Sequence, residues 1–155
     1  MKTFYLTLSR VFPDTHPRAG EYTMFKEKLL SALKTGPCIH KIHTIRANYE
    51  FWAKRFEKIM AGEAVLSVRE WIGKPYAKGS SQHEIVRLTR EDGIGIQMLE
   101  LESLDVCRIK DATSIVTPQT LALNDGLHLE DWKAWFKDYD LTKPMAVIHF
   151  TRYRY

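Results

Sequence analysis

Residues 64–76 read AVLSVREWIGKPY, and this stretch sets the fold class because it carries a clear strand pattern. From Ala64 to Trp71 the side chains alternate between apolar and polar, which is typical of a β-strand with one buried face. The turn formers in Gly73-Lys74-Pro75-Tyr76 then predict that the chain reverses direction. A strand followed by a tight turn indicates a β-sheet, to which other segments must supply the remaining strands.

Segments on both sides of this stretch continue the pattern and alternate with helices. Further strands are predicted at residues 4–8, 84–88, 94–101, 105–109 and 145–150. Apolar stripes at helical spacing predict helices near residues 25–33, 49–60, 118–123 and 130–139. Thr23 is the expected cap of the first helix and Gly36-Pro37 its stop, and Asn48 is expected to cap the second. These elements predict one α+β domain, residues 1–155, built on a small, mostly antiparallel β-barrel flanked by several α-helices.

Composition narrows the class of protein. The chain has 155 residues, of which 45% are hydrophobic and 27% charged, as is ordinary for one globular domain. No apolar run approaches the roughly 18 residues of a membrane span, and the first ten residues are too polar for a secretory segment. Cys38 and Cys107 are too few for a disulfide framework. A soluble, cytoplasmic protein without a membrane partner is therefore expected, and its net charge of +4 favours an anionic ligand.

The segment HKIHTIR, residues 40–46, concentrates groups that bind polar ligands. Lys41 and Arg46 are cations, Thr44 offers a hydroxyl, and His40 and His43 titrate near neutrality, so the segment suits a phosphate or a base edge. In a regular strand Lys41 and Thr44 point to opposite faces and meet only if the backbone bends between them. If they meet, an unprotonated Lys41 makes Thr44 a nucleophile. The alternative is a strand end with exposed basic residues.

Other catalytic signatures are missing from the sequence. It has no P-loop, nucleophile elbow or zinc-protease motif, and Gly93-Ile94-Gly95 is better explained by a turn or bulge than by dinucleotide binding. His40 and His43 lack further metal ligands. No metal and no cofactor are expected.

Three features in the correct order resemble the ASCH (activating signal cointegrator homology) family, whose members have a PUA-like β-barrel. Lys41-Ile42-His43-Thr44-Ile45-Arg46 is similar to the family signature K-x-x-T-x-R. Residues 66–76 resemble the strand and turn that follow the signature. Residues 124–127, NDGL, with the helix that contains Trp132, resemble the entry to the later helix. The resemblance extends from about residue 38 to residue 155.

This resemblance implies an RNA- or nucleotide-related function, because PUA-like barrels commonly hold RNA in a cleft. Some small members are amidohydrolases that remove the acetyl group of N4-acetylcytidine. Carried over, Lys41 is the base, Thr44 the nucleophile and Asp125 the acidic partner, while Arg46 orients the ligand or stabilises negative charge. Asp125 stands where the hydrolytic members have glutamate, and Ile39 where many members have glycine.

Residues beyond the signature complete the expected ligand site, which also includes Lys41, His43, Thr44 and Arg46. Trp71 and Tyr76 are candidates for base stacking, and Arg69 and Lys74 for phosphate contact; core packing and solvation are the alternatives. A frayed end is expected for residues 152–155, RYRY, which also resemble an RNA-binding tail. The favoured function is binding of RNA, a nucleotide or a modified nucleoside. The alternatives are the amidohydrolase and a protein-interaction domain.

Overall fold

The computed structural model describes residues 1–34 and 40–155 and confirms the α+β class. The strands are β1 Lys2–Leu8, β2 His43–Arg46, β3 Ala64–Ile72, β4 Ser81–Leu88, β5 Gly95–Ser103, β6 Val106–Ile109 and β7 Met145–His149. The α-helices are α1 Phe25–Leu33, α2 Tyr49–Met60, α3 Pro118–Asn124 and α4 Leu129–Phe136, and a 3₁₀ turn spans Arg90–Asp92. The predicted stop at Gly36-Pro37, Cys38 and Ile39 lie outside the described residues.

The strands form two sheets. One has the order β1-β3-β4, in which β1 and β3 run parallel and β4 is antiparallel to β3. The other has the order β2-β7-β5-β6 and is antiparallel throughout. No strand pairing within residues 1–34 and 40–155 joins the two sheets into a closed barrel. The antiparallel majority agrees with the expectation, and the parallel pair is the exception to it.

Local sequence explains where the first two helices begin. Asn48 accepts a hydrogen bond from the Phe51 backbone N–H at 3.2 Å, so the predicted cap of α2 is confirmed. The residue before α1 is Met24, which has a φ of 62° and makes no side-chain cap bond, so the prediction of Thr23 was one residue off. The Thr23 hydroxyl still accepts a bond from Phe25 N at 3.3 Å and donates to Ser9 O at 2.7 Å. Thr23 therefore fixes the entry to α1 from outside the helix.

The hydrophobic core lies between the sheets and the helices. All five residues of β7 are buried, and this strand lies between β2 and β5 in its sheet. Trp132 and Phe136 of α4 are buried as well, whereas Tyr139 lies beyond the helix and stays partly exposed. Among the described residues, no helix has the length and apolar character that crossing a membrane requires.

Candidate functional site

The segment that carries the K-x-x-T-x-R signature begins outside a regular strand. Residues 41 and 42 are held by backbone bonds from other elements: Lys41 N donates to Lys28 O at 3.3 Å and Ile42 N donates to Asn124 O at 2.9 Å. From His43 onward the chain becomes β2 and pairs with β7. The signature thus passes from contacts with the first turn of α1 and the last residue of α3 into a regular sheet.

Lys41 and Asp125 form a buried ion pair across 84 residues of sequence. Lys41 Nζ donates to Asp125 Oδ1 at 2.5 Å and to the Asp125 backbone oxygen at 2.8 Å. Lys41 is 1% exposed and Asp125 3% exposed, and the ammonium also lies 4.0 Å from the centre of the Phe25 ring. The structure therefore brings together the two residues that the resemblance implies as base and acid.

Burial shifts the pKa of each group in the direction that favours its neutral form. It lowers the pKa of Lys41 to about 8, although the attraction of Asp125 acts in the opposite direction. It raises the pKa of Asp125, against the effect of the Lys41 ammonium. The neutral amine of Lys41 therefore forms at a lower pH than the neutral amine of an exposed lysine.

The end of α3 explains why this pair forms. Asp125 follows the last residue of α3, where the aligned carbonyl groups give the end of the helix a partial negative charge. Lys41 neutralises both that charge and the Asp125 carboxylate. Gly126 has a φ of +80°, and a Cβ atom there would lie 3.3 Å from Lys41 Cβ. Glycine is therefore required by the backbone conformation and by the closeness of Lys41.

Thr44 lies in β2 opposite Ile148 and is 3% exposed. Within the described part of the chain its hydroxyl has no hydrogen-bond partner, and the polar contacts of Lys41 are with Asp125. The alternation predicted from the sequence accounts for this, because Lys41 and Thr44 then point to opposite faces and the Lys41 ammonium does not reach the hydroxyl of Thr44. The structure pairs Lys41 with Asp125 and leaves Thr44 outside that bond.

Arg46 lies at the far end of β2 and extends the charged cluster. Its guanidinium donates to Thr7 O at 2.7 Å, and no carboxylate among the described residues pairs with it. Burial lowers the pKa of Arg46, while nearby Asp125, Tyr139 and Tyr76 raise it. Arg46 is therefore electrostatically coupled both to the buried pair and to exposed tyrosines.

His43 belongs to a second buried network that the sequence did not predict. Its Nε2 lies 2.6 Å from the Tyr155 hydroxyl, which accepts a bond from Asn124 Nδ2 at 2.9 Å. His149, opposite His43 in β7, lies 2.9 Å from Gln97 Oε1. Burial lowers the pKa of His43 well below its ordinary value, so the ring is neutral at pH 7.

Tyr155 corrects the expectation of a frayed end. It is 6% exposed, and its backbone N–H donates to Gln97 Oε1 at 3.0 Å. Its ring packs against His43, His149 and Tyr153. The tyrosines of RYRY were the available signal for this burial, because an aromatic ring stabilises the fold more when it is buried than when it is exposed.

The remaining predicted ligand residues lie around the turn after β3. Arg69 stacks on Tyr5, with its Cζ 4.2 Å from the ring centre, and donates to Ser67 Oγ at 3.1 Å. The rings of Trp71 and Tyr76 have their centres 4.9 Å apart, and Tyr76 is 90% exposed. Lys74 is exposed and has no ion pair among the described residues.

A groove of about 610 Å³ opens beside this turn. It is lined by residues of the loop after β1 and by Tyr22, Trp71 and the turn residues Gly73, Lys74 and Pro75. Lys41, His43 and Thr44 do not line it; each is at most 3% exposed. The predicted ligand residues therefore separate into an enclosed group in the core and an accessible group around Trp71.

No group of three or more possible metal ligands occurs within residues 1–34 and 40–155. The two histidines considered from the sequence have different positions: His43 lies in β2 and contacts Tyr155, whereas His40 lies before the strand. Comparison of the whole chain with protein-family models, with curated proteins and with solved structures finds no match.

Proposed function

We propose that this chain is an RNA- or nucleotide-binding protein of the ASCH type, with a PUA-like relation between its two sheets. The observation that carries the proposal is the pair of rings Trp71 and Tyr76 next to Lys74, together with two further cations that have no carboxylate partner. Arg46, Arg69 and Lys74 form no ion pair among the described residues. Trp71 and Tyr76 form an aromatic corner next to Lys74. Cations and aromatic faces together fit phosphates and bases.

In this proposal the enclosed residues position the accessible ones. Lys41 and Asp125 fix the start of β2, and Arg46 at its other end contacts the ligand. Trp71 stacks on a base, which contributes about 1–3 kcal/mol per base in single-stranded recognition. Arg69 and Lys74 neutralise phosphates, so that binding weakens as salt increases.

Binding of a labelled eight-nucleotide single-stranded RNA at several salt concentrations tests the proposal. Trp71→Leu is expected to weaken binding about tenfold, and Arg46→Gln to weaken it and reduce the salt slope by about one. Lys137→Gln removes the same charge from the end of α4 and serves as the control. Equal affinity of the wild type and both variants, with the fold intact by circular dichroism, contradicts the proposal.

A second candidate, an amidohydrolase acting on acylated nucleosides, is favoured by the buried Lys41–Asp125 pair and the lowered pKa of Lys41. In that reaction the neutral Lys41 amine leaves Asp125 and takes the Thr44 proton as the Thr44 oxygen attacks the acetyl carbonyl. The proton passes to the departing cytosine amine. Water then releases acetate from Thr44 and restores the hydroxyl.

Release of cytidine from N4-acetylcytidine tests this second candidate. The rate is expected to rise with pH through about 8, where the Lys41 amine loses its proton. Thr44→Val and Lys41→Met should each remove turnover. No turnover by the wild type, or turnover that survives both substitutions, excludes it.

A further inference from the structure

A basic depression lies beside the first turns of α2, apart from the residues of the K-x-x-T-x-R signature. It has a volume of about 420 Å³. Its lining contains four cations and one carboxylate: Lys2, Lys54, Arg55, Lys58 and Glu50. None of these side chains forms an ion pair among the described residues. The depression therefore has a local excess of positive charge that the described chain leaves unneutralised.

Arg55 is held in this depression by aromatic rings. Its Cζ lies 4.0 Å from the centre of Phe51, 5.0 Å from Trp52 and 5.1 Å from Phe4. Phe51 is 45% exposed, whereas Trp52 and Phe4 are buried. The guanidinium thus lies at the boundary between the core and the solvent, and burial lowers the pKa of Arg55.

The N–H groups of Arg55 make no hydrogen bond within residues 1–34 and 40–155, although the side chain is half-buried. The ring contacts of Arg55 take up no oxygen or nitrogen acceptor, so the N–H donors of its guanidinium stay available. Two of these donors match two oxygens of one phosphate group. An arginine whose position is fixed by packing and whose donors are free is preorganised for such a ligand.

We propose that Arg55 and the surrounding lysines form an oxyanion site for a phosphate group. Arg55 provides the bidentate contact, and Lys2, Lys54 and Lys58 add the surrounding positive charge. Asn48, at the start of α2, also lines the depression and offers an amide. The phosphate belongs either to a small molecule or to the backbone of a nucleic acid. The site does not depend on Arg46 or Trp71.

Nuclear magnetic resonance of the full chain tests the site with two probes, inorganic phosphate and an eight-nucleotide single-stranded RNA. Inorganic phosphate is expected to shift the Arg55 Nε–H and Phe51 amide signals, with millimolar affinity. Arg55→Lys keeps the charge but loses the bidentate geometry, and should weaken phosphate binding at least fivefold. Phe51→Leu keeps every charge and should also weaken binding, because it removes the nearest of the three rings that hold Arg55. Lys137→Gln is the matched control and should have no effect.

The two probes separate the two sources of phosphate. If the ligand is a nucleic acid, RNA shifts the same signals at lower concentration and Arg55→Gln reduces its salt slope by about one. If the ligand is a small molecule, only inorganic phosphate shifts them. Either result supports the oxyanion site, including when the Arg46 and Trp71 variants leave RNA affinity unchanged. The proposal is overturned if neither probe shifts the Arg55 and Phe51 signals, or if folded Arg55→Lys binds both probes as the wild type does.

Discussion

Two cations in this protein contact aromatic rings at the same distance and in opposite surroundings. Lys41 Nζ lies 4.0 Å from the centre of Phe25, and Arg55 Cζ lies 4.0 Å from the centre of Phe51. Lys41 is 1% exposed and paired with Asp125. Arg55 borders an open depression and has neither an ion pair nor a hydrogen bond among the described residues.

The difference shows that the cation–π contact does not by itself indicate a function. At Lys41 the ring completes an enclosure in which the partner carboxylate already satisfies the charge. At Arg55 the rings fix the position of a charge that the described chain leaves unsatisfied. The enclosed Lys41–Asp125 pair affects the stability of the fold and the pKa of Lys41. The guanidinium of Arg55, which borders the open depression, affects ligand binding instead.

Breaking the enclosed pair is expected to have the largest effect. Lys41→Met leaves the Asp125 carboxylate buried without a partner and should lower the free energy of unfolding by about 3–5 kcal/mol. Urea denaturation measures this loss. The exposed pair between Lys133 and Asp105 is the control, and Lys133→Met should change stability very little.

The double variant Lys41→Met/Asp125→Leu separates charge from packing in the same experiment. Removing both charges should restore most of the stability that Lys41→Met loses, because no buried charge is then left unpaired. If the double variant loses as much stability as Lys41→Met and Asp125→Leu lose together, the loss comes from packing around Phe25 and not from the ion pair.

Alkaline pH should produce the next largest effect. Burial lowers the pKa of Lys41 to about 8 from its ordinary value of 10.5, so between these pH values the unfolded chain binds a proton that the folded chain does not. The cost of burying the ammonium is fully present below pH 8 and is relieved as pH rises to 10.5. The free energy of unfolding of the wild type should therefore rise relative to Lys41→Met, by at most about 3 kcal/mol.

Denaturant unfolding of both proteins at pH 7.5, 9 and 10.5 measures this difference, in which the contributions of groups other than Lys41 and its partner Asp125 cancel. A difference that stays constant with pH would show that Lys41 titrates alike in the folded and unfolded chains. Nuclear magnetic resonance of the variant Asp125→Asn offers a direct check of the pKa of Lys41. The substitution removes the attraction that holds the ammonium in place, so the pKa of Lys41 should fall below 8.

Local pattern was sufficient for most elements of the fold. The alternation from Ala64 to Trp71 predicted β3, and the stripe from Tyr49 to Met60 predicted α2, because each period reports which face is buried. Pairing between strands that are distant in the sequence was harder to predict. The parallel contact of β1 with β3 brings together strands separated by two helices and β2, and no local pattern encodes it.

The candidate site was likewise predictable only where local sequence was sufficient. Lys41 was identifiable by its chemistry, but only the family resemblance connected it to Asp125, since periodicity cannot join residues 84 positions apart. The sequence predicted neither the network around Tyr155 nor the three aromatic rings around Arg55. The Tyr155 network depends on tertiary contacts that join β-strands and α3. Around Arg55 only Phe4 comes from another element, whereas Phe51 and Trp52 precede Arg55 by four and three residues on α2, so their spacing was the available local signal.

Substitution of the presented cation is expected to have the smallest effect on the fold. Arg55→Gln removes a cation–π contact at a partly exposed site, which contributes under about 1 kcal/mol, and breaks no ion pair or hydrogen bond among the described residues. The variant should therefore unfold within about 1 kcal/mol of the wild type in urea. It relieves repulsion from Lys54 and Lys58, which opposes even that small loss. A loss as large as that of Lys41→Met would show that Arg55 holds Phe51 and Phe4 in place, and the two cations would then share one structural role.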